Sequence, residues 1–175
     1  MVSAQQLIQK FNLKKHPEGG FFIETARSNF IVHIENDRNI RRAAYTEIYY
    51  LLQNGEPSWF HKLQYDQLYH FFSGDELTIY IIDKNGELLI RKLGNDPIHR
   101  DVAFQTVIPA GCWFAAVAEN GETHGYTLSG CTVIPGFEFS DLEIATVENL
   151  TKIYPKHQAL IQRLALPENH STKII

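Results

Sequence analysis

Leu77-Thr78-Ile79-Tyr80-Ile81-Ile82, then Asp83-Lys84-Asn85-Gly86, then Glu87-Leu88-Leu89-Ile90-Arg91 is the stretch whose reading decides the fold class. Two runs of aliphatic and β-branched residues flank an Asn-Gly pair, and these two residues tolerate the positive φ that a tight hairpin turn requires. The segment predicts two antiparallel strands. Outward from it, short apolar runs alternate with Gly, Pro, Asn and Asp, and the spacing predicts strands over 21–27, 44–52, 58–63, 68–72, 76–82, 87–93, 102–108, 113–118, 124–128 and 132–134. Many short strands with frequent turn signals read as an all-β sandwich or barrel.

The ends of the chain change period. Leu7, Ile8 and Phe11 recur at helical spacing within a 1–12 lead-in, and Val147, Leu150, Ile153, Leu160, Ile161 and Leu164 do so within a 147–166 tail. Pro155 suits the first turn of a second short tail helix, where no N–H is needed. Helices are expected to cap a barrel spanning 20–140, with 1–175 forming one domain. A chain of this length can bury a core without disulfide or metal staples.

Net charge is -4 with the two signs interleaved, so no nucleic-acid footprint is present. The basic cluster Arg38, Arg41 and Arg42 falls in a stretch, 35–42, that reads as a solvated loop. No apolar run approaches the roughly 18 residues of a membrane span. The first residues lack the apolar core of a signal peptide, so a cytoplasmic location is expected. Cys112 and Cys131 occur without a CxxC and are expected to be reduced and buried.

Catalytic patterns of fixed spacing are absent: there is no HExxH, GxSxG, P-loop or GxGxxG. Function must come from residues that strand alternation turns into the barrel. Gly55-Glu56-Pro57-Ser58-Trp59-Phe60-His61, the following Asp66-Gln67-Leu68-Tyr69-His70-Phe71-Phe72-Ser73-Gly74, and Ile108-Pro109-Ala110-Gly111-Cys112-Trp113-Phe114 resemble the two motifs of cupin barrels. In cupins an HxH pair, a Glu and a later His converge on a metal. The resemblance puts Trp59, His61, Gln67 and Phe114 at those positions, too few donors for a transition metal. No metal or other cofactor is expected. In a register shifted by one residue Asp66 would turn inward instead, and His61, Asp66 and His70 would then make a three-donor set.

A wider resemblance covers nearly the whole chain. His16-Pro17-Glu18-Gly19-Gly20 and Pro135-Gly136-Phe137-Glu138-Phe139, together with the segments above, resemble the small cupin family known as predicted sugar epimerases. The resemblance implies a double-stranded β-helix, or jelly roll, with an N-terminal helix and C-terminal helices. It also implies a homodimer and a carbohydrate or nucleotide-sugar-like ligand, with no nucleic-acid or membrane partner expected. Members commonly read SH[WF]HR and DExWH, with Gln in the second motif, where this chain has Ser58-Trp59-Phe60-His61-Lys62, Asp66-Gln67-Leu68-Tyr69-His70 and Phe114. Each replaced position has lost a donor, an acid or an amide, which shifts the expected pocket toward aromatic residues.

Epimerisation without metal needs a base for a proton alpha to a carbonyl, an acid to return it, and stabilisation of the enolate. His61 is the expected base, oriented by Asp66, Glu47 or Glu138, with His70 a second catalytic candidate. Tyr49, Tyr69 or Tyr126 would return the proton. Tyr49, Trp59, Gln67, Phe114 and Glu138 are the expected substrate contacts. The His16–Gly20 segment reads as a tight turn into the first long strand and Glu24 with Arg27 as an ion pair; the alternative is a pocket rim meeting an anionic substrate group. The leading reading is a metal-independent sugar epimerase or isomerase. A non-catalytic ligand-binding cupin is the alternative, and a metal-dependent cupin enzyme comes third.

Overall fold

The computed structural model describes residues 2–34, 37–98, 100–118 and 123–167. Ser3 opens α1 (Ala4–Phe11) with a capping box: its hydroxyl accepts from the Gln6 N–H while the Gln6 side chain accepts from the Ser3 N–H. Asn12, at φ 54°, closes the helix in the left-handed conformation. The strands that follow are β1 (Lys14–Lys15), β2 (Phe21–Arg27), β3 (Ile31–Ile34), β4 (Asp37–Ala43), β5 (Thr46–Gln53), β6 (Ser58–Leu63), β7 (Asp66–Gly74), β8 (Leu77–Ile82), β9 (Leu88–Leu93), β10 (Gln105–Ile108), β11 (Trp113–Ala118), β12 (Tyr126–Ile134) and β13 (Leu142–Ile144). The helices α2 (Val147–Ile153) and α3 (Gln158–Leu164) are the last described elements, with Pro155 in the 3-10 turn between them.

A six-stranded sheet runs β1-β2-β5-β12-β7-β10 and a five-stranded one β13-β6-β11-β8-β9, while β3 and β4 form a separate ribbon. From β5 onward the chain crosses between the two sheets at almost every connection, which is the jelly roll. Tyr50, Tyr69, Cys131 and Val133 from the larger sheet meet Leu63, Ile79, Ile81 and Phe114 from the smaller in the main core. The smaller sheet is buried on its other side too: Phe60, Trp113 and Val117 pack against Leu150, Ile161 and Leu164 of α2 and α3. That is why β11 reads WFAAVA, apolar throughout, instead of alternating. On the outer side of the larger sheet α1 covers Leu51, Tyr126 and Leu128. No helix among the described residues is long and apolar enough to cross a membrane.

The hairpin that decided the fold class is β8–β9, and Asp83 steadies its turn by accepting from the Asn85 and Glu87 N–H groups. Two expectations are corrected. The break anticipated between 128 and 132 is absent, because Gly130 sits in mid-strand: a Cβ there would come within 2.6 Å of Phe72 and 2.7 Å of the Glu47 carboxylate. The stretch 35–42, read as a solvated loop, contributes most of β4, and Arg42 pairs with the buried Asp141 at 3.0 Å. Residues 35 and 36 of that stretch lie outside the described residues.

Candidate functional site

Between the sheets lies a cavity that opens to solvent. Phe22, Ile48, Leu63, Val133, Phe137 and Phe139 supply its apolar lining. Its polar groups come largely from the two segments read as turns. His16 to Gly20 closes on itself through Gly19 N–H to His16 O and His16 N–H to Gly20 O, both 3.0 Å, as the tight-turn reading requires. The turn then docks on the start of β6, where Trp59 N–H donates to Glu18 O at 2.7 Å, and the Tyr50 hydroxyl donates to Gly19 O at 2.8 Å. Only glycine fits at position 19: φ is +106°, and a Cβ would lie 2.4 Å from the Pro57 carbonyl.

This docking drives the Glu18 side chain into the barrel, where it is 5% exposed. The Ser58 hydroxyl donates to Oε1 at 3.2 Å, and His61 Nε2 lies 3.1 Å from Oε2. The other His61 nitrogen, Nδ1, is 2.7 Å from the Trp59 carbonyl, which can only accept, so Nδ1 carries a hydrogen. Nε2 is the nitrogen that faces Glu18, within reach of proton exchange with its carboxyl. The approach is close enough for an ion pair yet not aligned as a hydrogen bond, leaving Nε2 a fully buried polar atom without a full partner. An unsatisfied buried polar atom costs about 1–3 kcal/mol.

Ser58 and His61 share this carboxylate because β6 carries a bulge. The register Phe114↔His61 becomes Ala116↔Ser58, so one extra residue in β6 resets the alternation and turns both side chains inward. A second bulge does the same in β2, where Glu24 pairs with Ile48 but Ala26 with Glu47. Thr25 is the extra residue, and its hydroxyl donates to Glu47 O at 3.1 Å. Glu24 and Arg27 thereby line one wall of the cavity, joined by two hydrogen bonds of 3.0 and 2.8 Å. Arg27 also donates to Glu138 at 2.8 Å and to the Phe137 carbonyl at 3.2 Å, holding the segment that carries both phenylalanines over the mouth.

His16 completes the inner group. Its Nδ1 accepts from the Glu18 N–H at 3.4 Å, which leaves the ring hydrogen on Nε2. Burial pushes its titration below the ordinary imidazole range; Glu18 opposes this and His61 adds to it. Edge contact with Phe22 at 4.6 Å and stacking on Phe139 at 5.8 Å hold the ring at the cavity wall.

The sequence-derived candidates divide between inside and outside. Gln67 and Glu138 line the cavity. His61, Tyr69 and Phe114 are interior but wholly enclosed: the Phe114 ring packs tilted against His61 at 3.9 Å, and the buried Tyr69 hydroxyl has no aligned partner. Burial raises the phenols of Tyr50 and Tyr69 well above the usual range, so both stay protonated. Trp59 contributes through its backbone, not its ring. Tyr49 and His70 are corrected, since both lie on the outer face of the larger sheet. Tyr49 packs on Phe11 of α1 at 5.0 Å, and His70 meets the Thr132 hydroxyl at 3.2 Å, which in turn donates to Glu47. Tyr126, the third tyrosine considered, packs beneath α1. The signal missed was Glu18: a buried acid inside a Gly-rich turn reads as part of the turn until the turn is docked.

The donor chemistry does not fit a resident metal. Of the four positions that the resemblance relates to metal ligands, Trp59 and Phe114 supply no donor, Gln67 is a neutral amide, and His61 is a lone imidazole whose Nδ1 is held by the Trp59 carbonyl. The alternative set is separated in space: Asp66 is exposed and accepts from the Ala110 N–H at 2.7 Å, and His70 is outside. Among the described residues no group of three or more His, Cys, Asp or Glu is placed to hold a metal ion. Cys131, in the cavity wall, is no nucleophile either, because burial pushes its thiol far up.

Residues 5–145 match the family model Cupin_5, described as Cupin superfamily (DUF985). The uncharacterized protein YML079W of Saccharomyces cerevisiae is 33% identical over 149 residues, covering 79% of this chain and 73% of its own length. Among solved structures, protein SO0799 from Shewanella oneidensis aligns with a TM-score of 0.86 and 37% identity over 96% of this chain and all of its own. A hypothetical protein from Leishmania major aligns with a TM-score of 0.85 and 32% identity over 94% of this chain and 99% of its own.

Proposed function

This chain belongs to the Cupin_5 family of the cupin superfamily (DUF985), and from that premise we propose that its barrel binds a carbohydrate or nucleotide-sugar-like ligand and acts on it as a metal-independent epimerase or isomerase. The observation that carries the reading is the Glu18–His61 pair, a carboxylate at the cavity wall backed at 3.1 Å by a buried imidazole. The role first expected of His61 passes to Glu18, the member of the pair that lines the cavity. Glu18 as carboxylate removes the alpha proton, and bare Nε2 of His61 can take it up from the Glu18 acid. Its delivery by Glu18 to the adjacent carbon on the same face interconverts aldose and ketose, whereas epimerisation needs in addition an acid on the opposite face. The Nε2–H of His16 and the Gln67 amide are the donors available to a developing enolate oxygen.

The test is solvent exchange. A panel of aldoses, ketoses and nucleotide sugars is incubated with the protein in deuterium oxide, and loss of the alpha-proton signal is followed by NMR. Exchange in the native protein, reduced at least about a hundredfold in Glu18→Gln, is expected; undiminished exchange in that variant would remove Glu18 as the base. A second reading, ligand binding without turnover, is favoured by the position of Tyr49 and His70 outside the cavity, which leaves fewer candidates for a second acid. It predicts ligand-dependent thermal stabilisation with no exchange. The partner proposed for the chain is a second copy, supported by Phe72, Val107 and Ile134, about half exposed on the part of the larger sheet that α1 leaves bare. Sedimentation of the native protein against Phe72→Glu checks it, with a shift toward monomer expected.

A further inference from the structure

The cavity reading above leaves two ligand classes open, plain carbohydrates and phosphate-bearing ones, and the inference that follows rests on it. Three carboxylates, Glu18, Glu24 and Glu138, face the cavity against one guanidinium, Arg27. Arg27 is the obvious anchor for a phosphate, but its donors are committed. Nε and one terminal nitrogen grip both oxygens of Glu24, the other terminal nitrogen binds Glu138, and the Phe137 carbonyl takes a further hydrogen. Of five N–H donors on a guanidinium, one is left, and two carboxylates already offset the charge. His16 adds no positive charge near neutrality, since burial depresses its titration.

We infer that the cavity selects phosphate-free ligands, neutral or cationic, such as free hexoses and amino sugars, and rejects sugar phosphates and nucleotide sugars. The bulge at Thr25 is the device: by turning Arg27 to the wall that Phe22 and Glu24 already face, it brings the guanidinium into the cavity against a carboxylate that occupies it where a phosphate would have to bind. An incoming phosphate must displace Glu24 or Glu138 from Arg27 and then face Glu18 with its charge intact. A hydroxyl or ammonium meets the opposite situation. Only Oε1 of Glu138 is engaged by Arg27, which leaves Oε2 to accept from a ligand. Phe137 and Phe139, edge to face at 5.1 Å, offer ring faces to a pyranose or a cation.

Calorimetric titration with matched triplets tests this: the amino, neutral and 6-phosphorylated forms of glucose, galactose and mannose, each at low and physiological salt. For the hexose that binds, the amino and neutral forms are expected to bind at least about tenfold tighter than the phosphate. The gap should narrow as salt is raised, because charges at an open mouth are screened. The double variant Glu24→Gln/Glu138→Gln frees Arg27 and should abolish or reverse the preference. Tightest binding by a 6-phosphate, or an unchanged preference in the double variant, would sink the charge selection while the carbohydrate reading stands. No binding by any hexose form to folded protein would overturn that reading and the inference with it.

Discussion

Inside the barrel Glu18 faces His61 and Ser58; on the outer face of the larger sheet Glu47 faces Thr132, which meets His70. Each group holds a carboxylate, an imidazole and a hydroxyl, yet their settings differ in every respect that matters to chemistry. The inner carboxylate and imidazole are almost wholly enclosed, lie 3.1 Å apart and border a cavity with apolar walls. The outer group is only partly buried, and its hydroxyl stands between acid and base, so the two do not exchange a proton directly. In a low dielectric, charge interactions strengthen and unpaired groups become expensive, so the same residue types interact far more strongly in the inner group than in the outer one.

The largest expected effect separates the two groups by chemistry: Glu18→Gln should abolish alpha-proton exchange, measured by NMR in deuterium oxide, while Glu47→Gln should leave it unchanged. Next comes stability. His61→Ala removes one partner of a buried pair and should cost about 3–5 kcal/mol in denaturant unfolding. His70→Ala, by contrast, should cost under about 1 kcal/mol and leave ligand binding as it was. A loss of several kcal/mol in His70→Ala would erase the distinction.

The third prediction concerns acid. His16 titrates lower in the folded protein than the usual imidazole value of 6.5, so below that pH the unfolded chain binds more protons and stability falls as pH falls. Thermal midpoints should decline from about pH 6.5 downward, and His16→Gln should flatten that decline. An unchanged slope in the variant would show that His16 does not titrate as its burial implies. The smallest effect is expected at Asp75. Burial favours its neutral form, but hydrogen bonds from the Asn54 amide and from the Gly125 and His124 N–H groups win and hold it below the usual carboxylate range. Its stabilisation is complete at neutral pH and disappears only as pH falls through that depressed value, so Asp75→Asn should alter melting at pH 7 and converge on the native protein in strong acid.

Much of the architecture was legible in the residues. The Asn85-Gly86 turn, the short apolar runs and the helical period at both ends are local signals, each set by backbone preference or by burial on one face. Gln67 and Glu138 could likewise be placed as candidates from alternation and from the family resemblance. What the chain alone left open is parity. One inserted residue in β6 and one in β2 exchange inside for outside, and nothing in Ser58-Trp59-Phe60-His61 or Glu24-Thr25-Ala26-Arg27 announces a bulge, because a bulge is a property of two strands in register. Glu18 became a site residue only when its turn docked on Pro57 and Trp59, a contact between segments far apart in sequence. Local chemistry therefore determined which elements form, and long-range pairing decided which carboxylate meets which histidine.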